Sequence, residues 1–129
     1  MVGVSIKGSP QAWFERALAG QRPAGIVWPA ALELGRALRL DEALALTLIF
    51  GRDRHPRFER AAARWVAMLA LQSPALGVGE ISPVAAALGA VGDPADQADA
   101  LAVLEETLRR HGHAPAVRAL DAFDASIGG

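Results

Sequence analysis

Prolines divide this sequence into segments of helical length, and their spacing constrains the fold more than any other feature. Six of the eight prolines stand at or near a predicted helix start: Pro10, Pro29, Pro56, Pro83, Pro94 and Pro115. Proline is tolerated in the first helical turn because the N–H that it lacks would have no partner within the helix. Alanine and leucine, two strong helix formers, occur 28 and 16 times in the chain. The sequence therefore predicts a helical chain.

Apolar residues repeat with helical spacing in seven segments, and these define the predicted architecture. We predict helices at about residues 10–19, 29–39, 41–50, 56–72, 82–91, 94–111 and 115–126. The short connections between them predict an all-α fold, a compact bundle of six or seven short helices. A stack of helical hairpins is the alternative architecture. The second and third segments could also form one kinked helix, and the sequence leaves that choice open.

The chain length and the N-terminal pattern predict the domain organisation. A length of 129 residues fits one domain. Residues 1–7 alternate apolar with small or polar residues, which is strand-like, but no second strand is predicted to pair with them. We therefore expect a flexible N-terminal arm at residues 1–8 and a single all-helical domain at residues 9–129. No apolar run is long enough for a signal peptide or a membrane span, so we expect a cytoplasmic protein with no membrane partner.

The apolar faces of the predicted helices supply the candidate core. Nine large residues lie on these faces and are expected to be mostly buried: Trp13, Leu44, Leu48, Phe58, Trp65, Leu69, Leu101, Leu104 and Leu108. The third helix is apolar nearly all round, and a helix of that kind is buried by its neighbours. We therefore predict that it is the central element of the bundle.

Residues that could carry catalysis or hold a metal are few. The chain has no cysteine, which excludes thiolate ligands and cysteine nucleophiles. The spacing of His111 and His113 suits a metal, but a zinc site needs three or four protein ligands, and His111-Gly112 also fits an ordinary helix end. No serine lies in a G-x-S-x-G turn, and no glycine-rich phosphate loop is present. We predict a protein that is not an enzyme and that has no metal and no cofactor.

Residues 34–49 have the pattern of a helix-turn-helix, a DNA-binding motif, with a helix, a tight break at Leu40-Asp41 and a second helix. The second helix of that motif reads bases with polar side chains near its start. Here the second helix begins with Glu42, Ala43 and Leu44, which offer one acid and apolar groups. The segment is therefore predicted to be two packed core helices and not a base-reading element.

A basic cluster at residues 52–64 is the most informative surface feature. It contains five arginines and a histidine: Arg52, Arg54, Arg57, Arg60, Arg64 and His55. Residues 1–64 carry ten basic and six acidic residues, a net charge of +4, whereas residues 65–129 carry three basic and eight acidic residues, a net charge of −5. Within the fourth predicted helix, Arg57, Arg60 and Arg64 share one face, because they are spaced at i, i+3 and i+7. These like charges repel one another unless acids or a ligand offset them.

Three interpretations of this arginine face remain open. It could be solvated or paired with acids of the sixth helix, namely Asp96, Asp99 and Glu106. It could be an interface with another protein or with a second copy of the chain. It could also bind nucleic acid or another polyanion, which is less favoured because Phe58 and Trp65 are predicted to point toward the core.

These patterns lead to one functional prediction and one alternative. We predict a small non-enzymatic helical module for protein–protein interaction or scaffolding, whose partner is another protein or a second copy. Its partner-binding residues are predicted to be Arg54, Arg57, Arg60, Arg64 and Trp28. Trp28 follows Ile26 and Val27 in a segment read as a Pro/Gly loop, where apolar residues either plug the bundle end or contact a partner. The alternative is a small nucleic-acid-associated subunit that uses the basic face of residues 52–64.

Overall fold

The computed structural model describes residues 9–128, and the predicted arm at residues 1–8 lies outside this range. Seven helices follow one another, with no strand among the described residues. They are α1 (Pro10–Ala19), α2 (Ala24–Leu32), α3 (Leu40–Arg52), α4 (Phe58–Gln72), α5 (Val78–Gly89), α6 (Gln97–Arg110) and α7 (Ala114–Gly128). The predicted all-α fold is confirmed.

Five of the helices form a closed ring. Each of α3 to α7 packs on the next helix in the chain, and α7 returns to make the most extensive contact of all with α3. A stack of hairpins would leave its first and last helices apart, so this closure makes the fold a compact bundle. The helices α1 and α2 pack on each other and on the remaining side of α3.

The position of α3 explains its apolar sequence. Leu44, Leu48 and Ile49 are fully buried, as the prediction of a central helix requires. Leu44 and Leu48 belong to the larger apolar cluster inside the ring, whereas Ile49 and Phe50 belong to a smaller cluster with α1 and α2. The third helix therefore joins the two parts of the core.

Seven of the nine predicted core residues are buried: Leu44, Leu48, Trp65, Leu69, Leu101, Leu104 and Leu108. Phe58 is half-buried, with its ring so close to Gly51 that a Cβ added there would lie 2.9 Å from Cε1 of Phe58. The prediction for Trp13 is wrong, because 39% of it is exposed. The helix α1 packs through Phe14 and Ala17, which leaves Trp13 at the edge of that face.

The second helix begins earlier than predicted. It starts at Ala24 instead of Pro29, and Pro29 lies inside it. The N–H of Ala24 donates to Oδ2 of Asp53 at 2.8 Å, so an acid at the end of α3 satisfies this helix start. Ile26, Val27 and Trp28 are therefore helical and not part of a loop. Val27 is buried in the smaller cluster, as the plug interpretation predicts, whereas Trp28 is half-buried and Ile26 is exposed.

Other helix boundaries also differ from the predicted ones, and the second helix ends at Leu32 instead of residue 39. The fifth helix starts at Val78 and not at residue 82, so Pro83 lies within it. Pro56 and Pro94 lie in the turns that precede α4 and α6, which begin at Phe58 and Gln97. Residues 33–39 separate α2 from α3, so these are two helices and not one kinked helix.

Candidate functional site

An open groove of about 560 Å³ runs between α4 on one side and α2 with residues 33–39 on the other. Its floor consists mainly of small or apolar residues from these elements and from α3: Ala31, Leu38, Ala43, Leu46, Phe50, Ala61, Trp65 and Met68. Four arginines also line it, namely Arg36, Arg57, Arg60 and Arg64. The groove thus combines an apolar floor with positively charged margins.

Three of the predicted site residues form one margin, which we name the arginine edge: Arg57, Arg60 and Arg64. All three are exposed, and within residues 9–128 none of them makes an ion pair. Glu106, one of the three acids predicted to pair with this face, instead pairs with Arg110 at 3.2 Å. Internal pairing with the acids of α6 is therefore not how the charge of this edge is offset.

Trp28 lies at the end of the arginine edge. The guanidinium carbon of Arg57 is 4.8 Å from the centre of the indole ring, a cation–π distance. Phe50 supports the ring of Trp28 from below in an edge-to-face contact with a centroid distance of 5.8 Å. Trp28 is half-buried, so one part of the ring is fixed in the core and another part lines the groove.

Arg54 does not belong to this site. It is exposed, lies outside the groove lining and takes a left-handed backbone conformation, with φ of 54°. Its N–H donates to the carbonyl of Gly51, and the next N–H, of His55, donates to the carbonyl of Phe50. This is a Schellman end for α3, at a position where glycine is preferred. The structure thus brings together four of the five predicted site residues.

The opposite margin contains Arg36, which the sequence did not single out. Both Nη atoms of Arg36 donate to the carboxylate of Glu42, at 2.8 and 2.9 Å. The backbone N–H of Arg39 and the side-chain amide of Gln11 also donate to Glu42, at 2.9 and 3.4 Å. This margin is therefore neutralised within the chain, unlike the arginine edge.

The environment of Glu42 has a clear electrostatic consequence. Only 2% of this residue is exposed, and burial by itself acts to raise the pKa of its carboxyl. The hydrogen bonds from Arg36, from the N–H of Arg39 and from Gln11 outweigh burial and lower that pKa to about 2. The carboxylate is charged at neutral pH and fixes residues 33–39 against α1 and α3.

A serine and a histidine that are far apart in the sequence meet at the other end of the bundle. Oγ of Ser73 lies 2.6 Å from Nε2 of His113. Burial first, and the charge of His111 second, lower the pKa of His113. Ser73 follows α4 and His113 precedes α7, so the pair links these two helix ends. Ser73 is 5% exposed, and neither residue lines the groove.

The two histidines of the His-Gly-His sequence take different partners. Nε2 of His111 is 3.1 Å from Glu80, while His113 contacts Ser73. Within residues 9–128, no three side chains of histidine, aspartate or glutamate are grouped as a metal site would require.

Comparisons with protein-family models, with curated proteins and with solved structures returned no match. Among the described residues, no helix combines the length and the apolar character that a bilayer crossing needs.

Proposed function

We propose that this protein is a small non-enzymatic interaction module that binds a segment of another protein in the groove. One observation carries this proposal: an apolar floor lies directly beside three exposed arginines that have no ion-pair partner in the described chain. Apolar contacts supply affinity at protein interfaces, and tryptophan and arginine are enriched among the residues that dominate such contacts. Trp28 and Arg57 already stand together at this margin.

The floor is the feature that favours a protein segment over a polyanion. A nucleic acid is held mainly through its phosphates and through stacking on aromatic faces. Here the floor consists mostly of aliphatic side chains, and the ring of Trp28 is covered by Arg57. The polyanion alternative is supported by the charge of the arginine edge alone.

Two tryptophan substitutions on α4 test the site. In A61W, an indole fills the groove, because Ala61 lies in the floor. A63W is the matched control, because Ala63 is exposed on the same helix and lies outside the groove. We expect proteins that co-purify from a host lysate with the wild type and with A63W to be lost with A61W. Circular dichroism and a thermal melt check that both variants fold.

A nuclease-treated lysate and a salt series separate the two candidate functions. Binding through phosphates weakens steeply as salt rises, because counterions are released, and it disappears when the nucleic acid is digested. Binding through the apolar floor survives both treatments. Equal recovery of the same partners by A61W and A63W would place the interaction outside the groove.

A further inference from the structure

We infer that the occupant of the groove is a short amphipathic helix of a partner protein, with carboxylates along one side. This inference rests on the proposed function and specifies the chemistry of the partner. The dimensions of the groove, the unequal charge of its two margins and the sizes of its floor residues each contribute to the argument.

The length of the groove suits about three helical turns. On the α4 side its lining extends from Arg57, the residue before the helix, to Met68. Eleven steps at a rise of about 1.5 Å make this roughly 16 Å. A helix of about eleven or twelve residues covers the same distance. Helix-in-groove binding of this kind places apolar anchors at i, i+3 or i+4, and i+7 of the bound helix.

The margins differ in charge, and this difference orients the occupant. Arg36 on one margin is bound by the buried carboxylate of Glu42. Arg57, Arg60 and Arg64 on the other margin have no such partner among the described residues. A bound helix therefore gains from acids on the side that meets the arginine edge. Carboxylates spaced three or four residues apart repeat every 4.5–6 Å or so, which matches the spacing of these arginines along α4.

The floor has room for large apolar side chains. Ala43 and Ala61, which are partly exposed, contribute only methyl groups to it, next to the larger Leu38 and Met68. Small residues beside large ones make depressions, and methionine adapts its shape to what packs on it. Leucine or phenylalanine anchors of a partner helix fit such a surface.

A second copy of this chain is a weaker occupant. Six of the eight acids of residues 65–129 lie on helices whose apolar faces are already buried in the ring, as Leu104 of α6 and Leu120 of α7 show. Glu105 on that surface is paired with Arg109 at 3.0 Å. No helix of the described chain offers an acidic edge together with a free row of large apolar residues.

The test uses a display library of random 12-residue peptides selected on the wild-type protein. We expect the enriched peptides to carry apolar residues with helical spacing and at least two acids on one side. The enriched peptides are synthesised with a fluorescent label, and binding is measured by anisotropy. R60E/R64E should weaken binding by about tenfold or more, as reversal of charges at an interface does. R22E/R118E changes the net charge equally at two exposed sites outside the groove, and should leave binding within about twofold.

Circular dichroism of the bound peptide and sedimentation of the protein alone complete the test. We expect the helical circular dichroism signal to rise when the peptide binds. Self-association of the protein in sedimentation that R60E/R64E abolishes would show that a second copy is the occupant instead. Peptides that bind in the groove, as judged by loss in A61W, but lack acids or stay extended would overturn this inference and leave the proposed function standing. If no peptide is enriched, or if A61W binds every peptide as the wild type does, both this inference and the proposed function are overturned.

Discussion

The buried carboxylate of Glu42 provides the sharpest prediction about stability. It accepts a bidentate pair of hydrogen bonds from Arg36 and a further hydrogen bond from the N–H of Arg39, and only 2% of Glu42 is exposed. The substitution E42Q keeps the shape of the side chain and removes its charge. The variant therefore isolates the charge-assisted part of these hydrogen bonds, which are stronger than bonds between neutral groups.

The size of the effect follows from the pKa of Glu42. That pKa is about 2 in the folded protein, against an ordinary value of 4.5. At about 1.4 kcal/mol for each pH unit, the difference corresponds to about 3 kcal/mol of stability at neutral pH. Because the folded pKa is the lower one, the unfolded chain binds the proton first as the pH falls. This stabilisation is complete above pH 4.5 and is lost as the pH falls through about 2.

Urea unfolding followed by tryptophan fluorescence at several pH values measures this effect. We expect E42Q to be less stable than the wild type by about 3 kcal/mol at pH 7, and the gap to shrink by about 2 kcal/mol at pH 3. The control E59Q removes an exposed glutamate of α4, and should shift the free energy of unfolding by no more than about 0.5 kcal/mol at pH 7. A gap between wild type and E42Q that stays the same from pH 7 to pH 3 would refute the assigned role of this charge.

Three further predictions concern single side chains. W65A should lower the free energy of unfolding by about 3–5 kcal/mol, because it deletes a buried ring whose Nε1 donates to Leu40 at 3.0 Å; a loss below about 1 kcal/mol in urea would place the ring at the surface. R54G should raise the melting temperature and increase the free energy of unfolding by about 0.5–1 kcal/mol, because glycine takes the left-handed conformation without strain. Binding of groove peptides should not change. Burial, and then the charge of His111, depress the pKa of His113 below 6.5, so wild-type stability should fall as the pH drops through that value. H113Q should lack this dependence in urea titrations at pH 5–8, and a decline of the same size in H113Q would assign it to another group.

Sequence reasoning succeeded where structure depends on local patterns. The order of seven helices follows mainly from apolar spacing, and α1 begins as predicted, with Oγ of Ser9 accepting from the N–H of Ala12. The buried faces of α4 and α6 follow from the same periodicity, as Trp65 and Leu104 show. In each case the information lies within one helix of the chain.

Two of the differences from the predictions arise from tertiary contacts. The early start of α2 depends on Asp53, which accepts from the N–H of Ala24 across 29 positions of sequence. The sequence predicts only part of the groove, because helical spacing indicates the arginine edge but not the opposite margin. Arg36 reaches that margin because Glu42 holds it there. No spacing rule indicates such a tertiary contact.

The closed ring of helices also determines when the protein can complete its core during synthesis. The face of α3 that α7 covers lacks its neighbour until the 61 residues between Arg52 and Ala114 have been made. The smaller cluster, formed by α1, α2 and one side of α3, needs nothing that far along the chain. A nascent chain can therefore assemble one wall of the groove early, while its larger core still exposes apolar surface. Apolar surface exposed in that interval is the kind that makes a folding intermediate prone to aggregation, until the last helix docks.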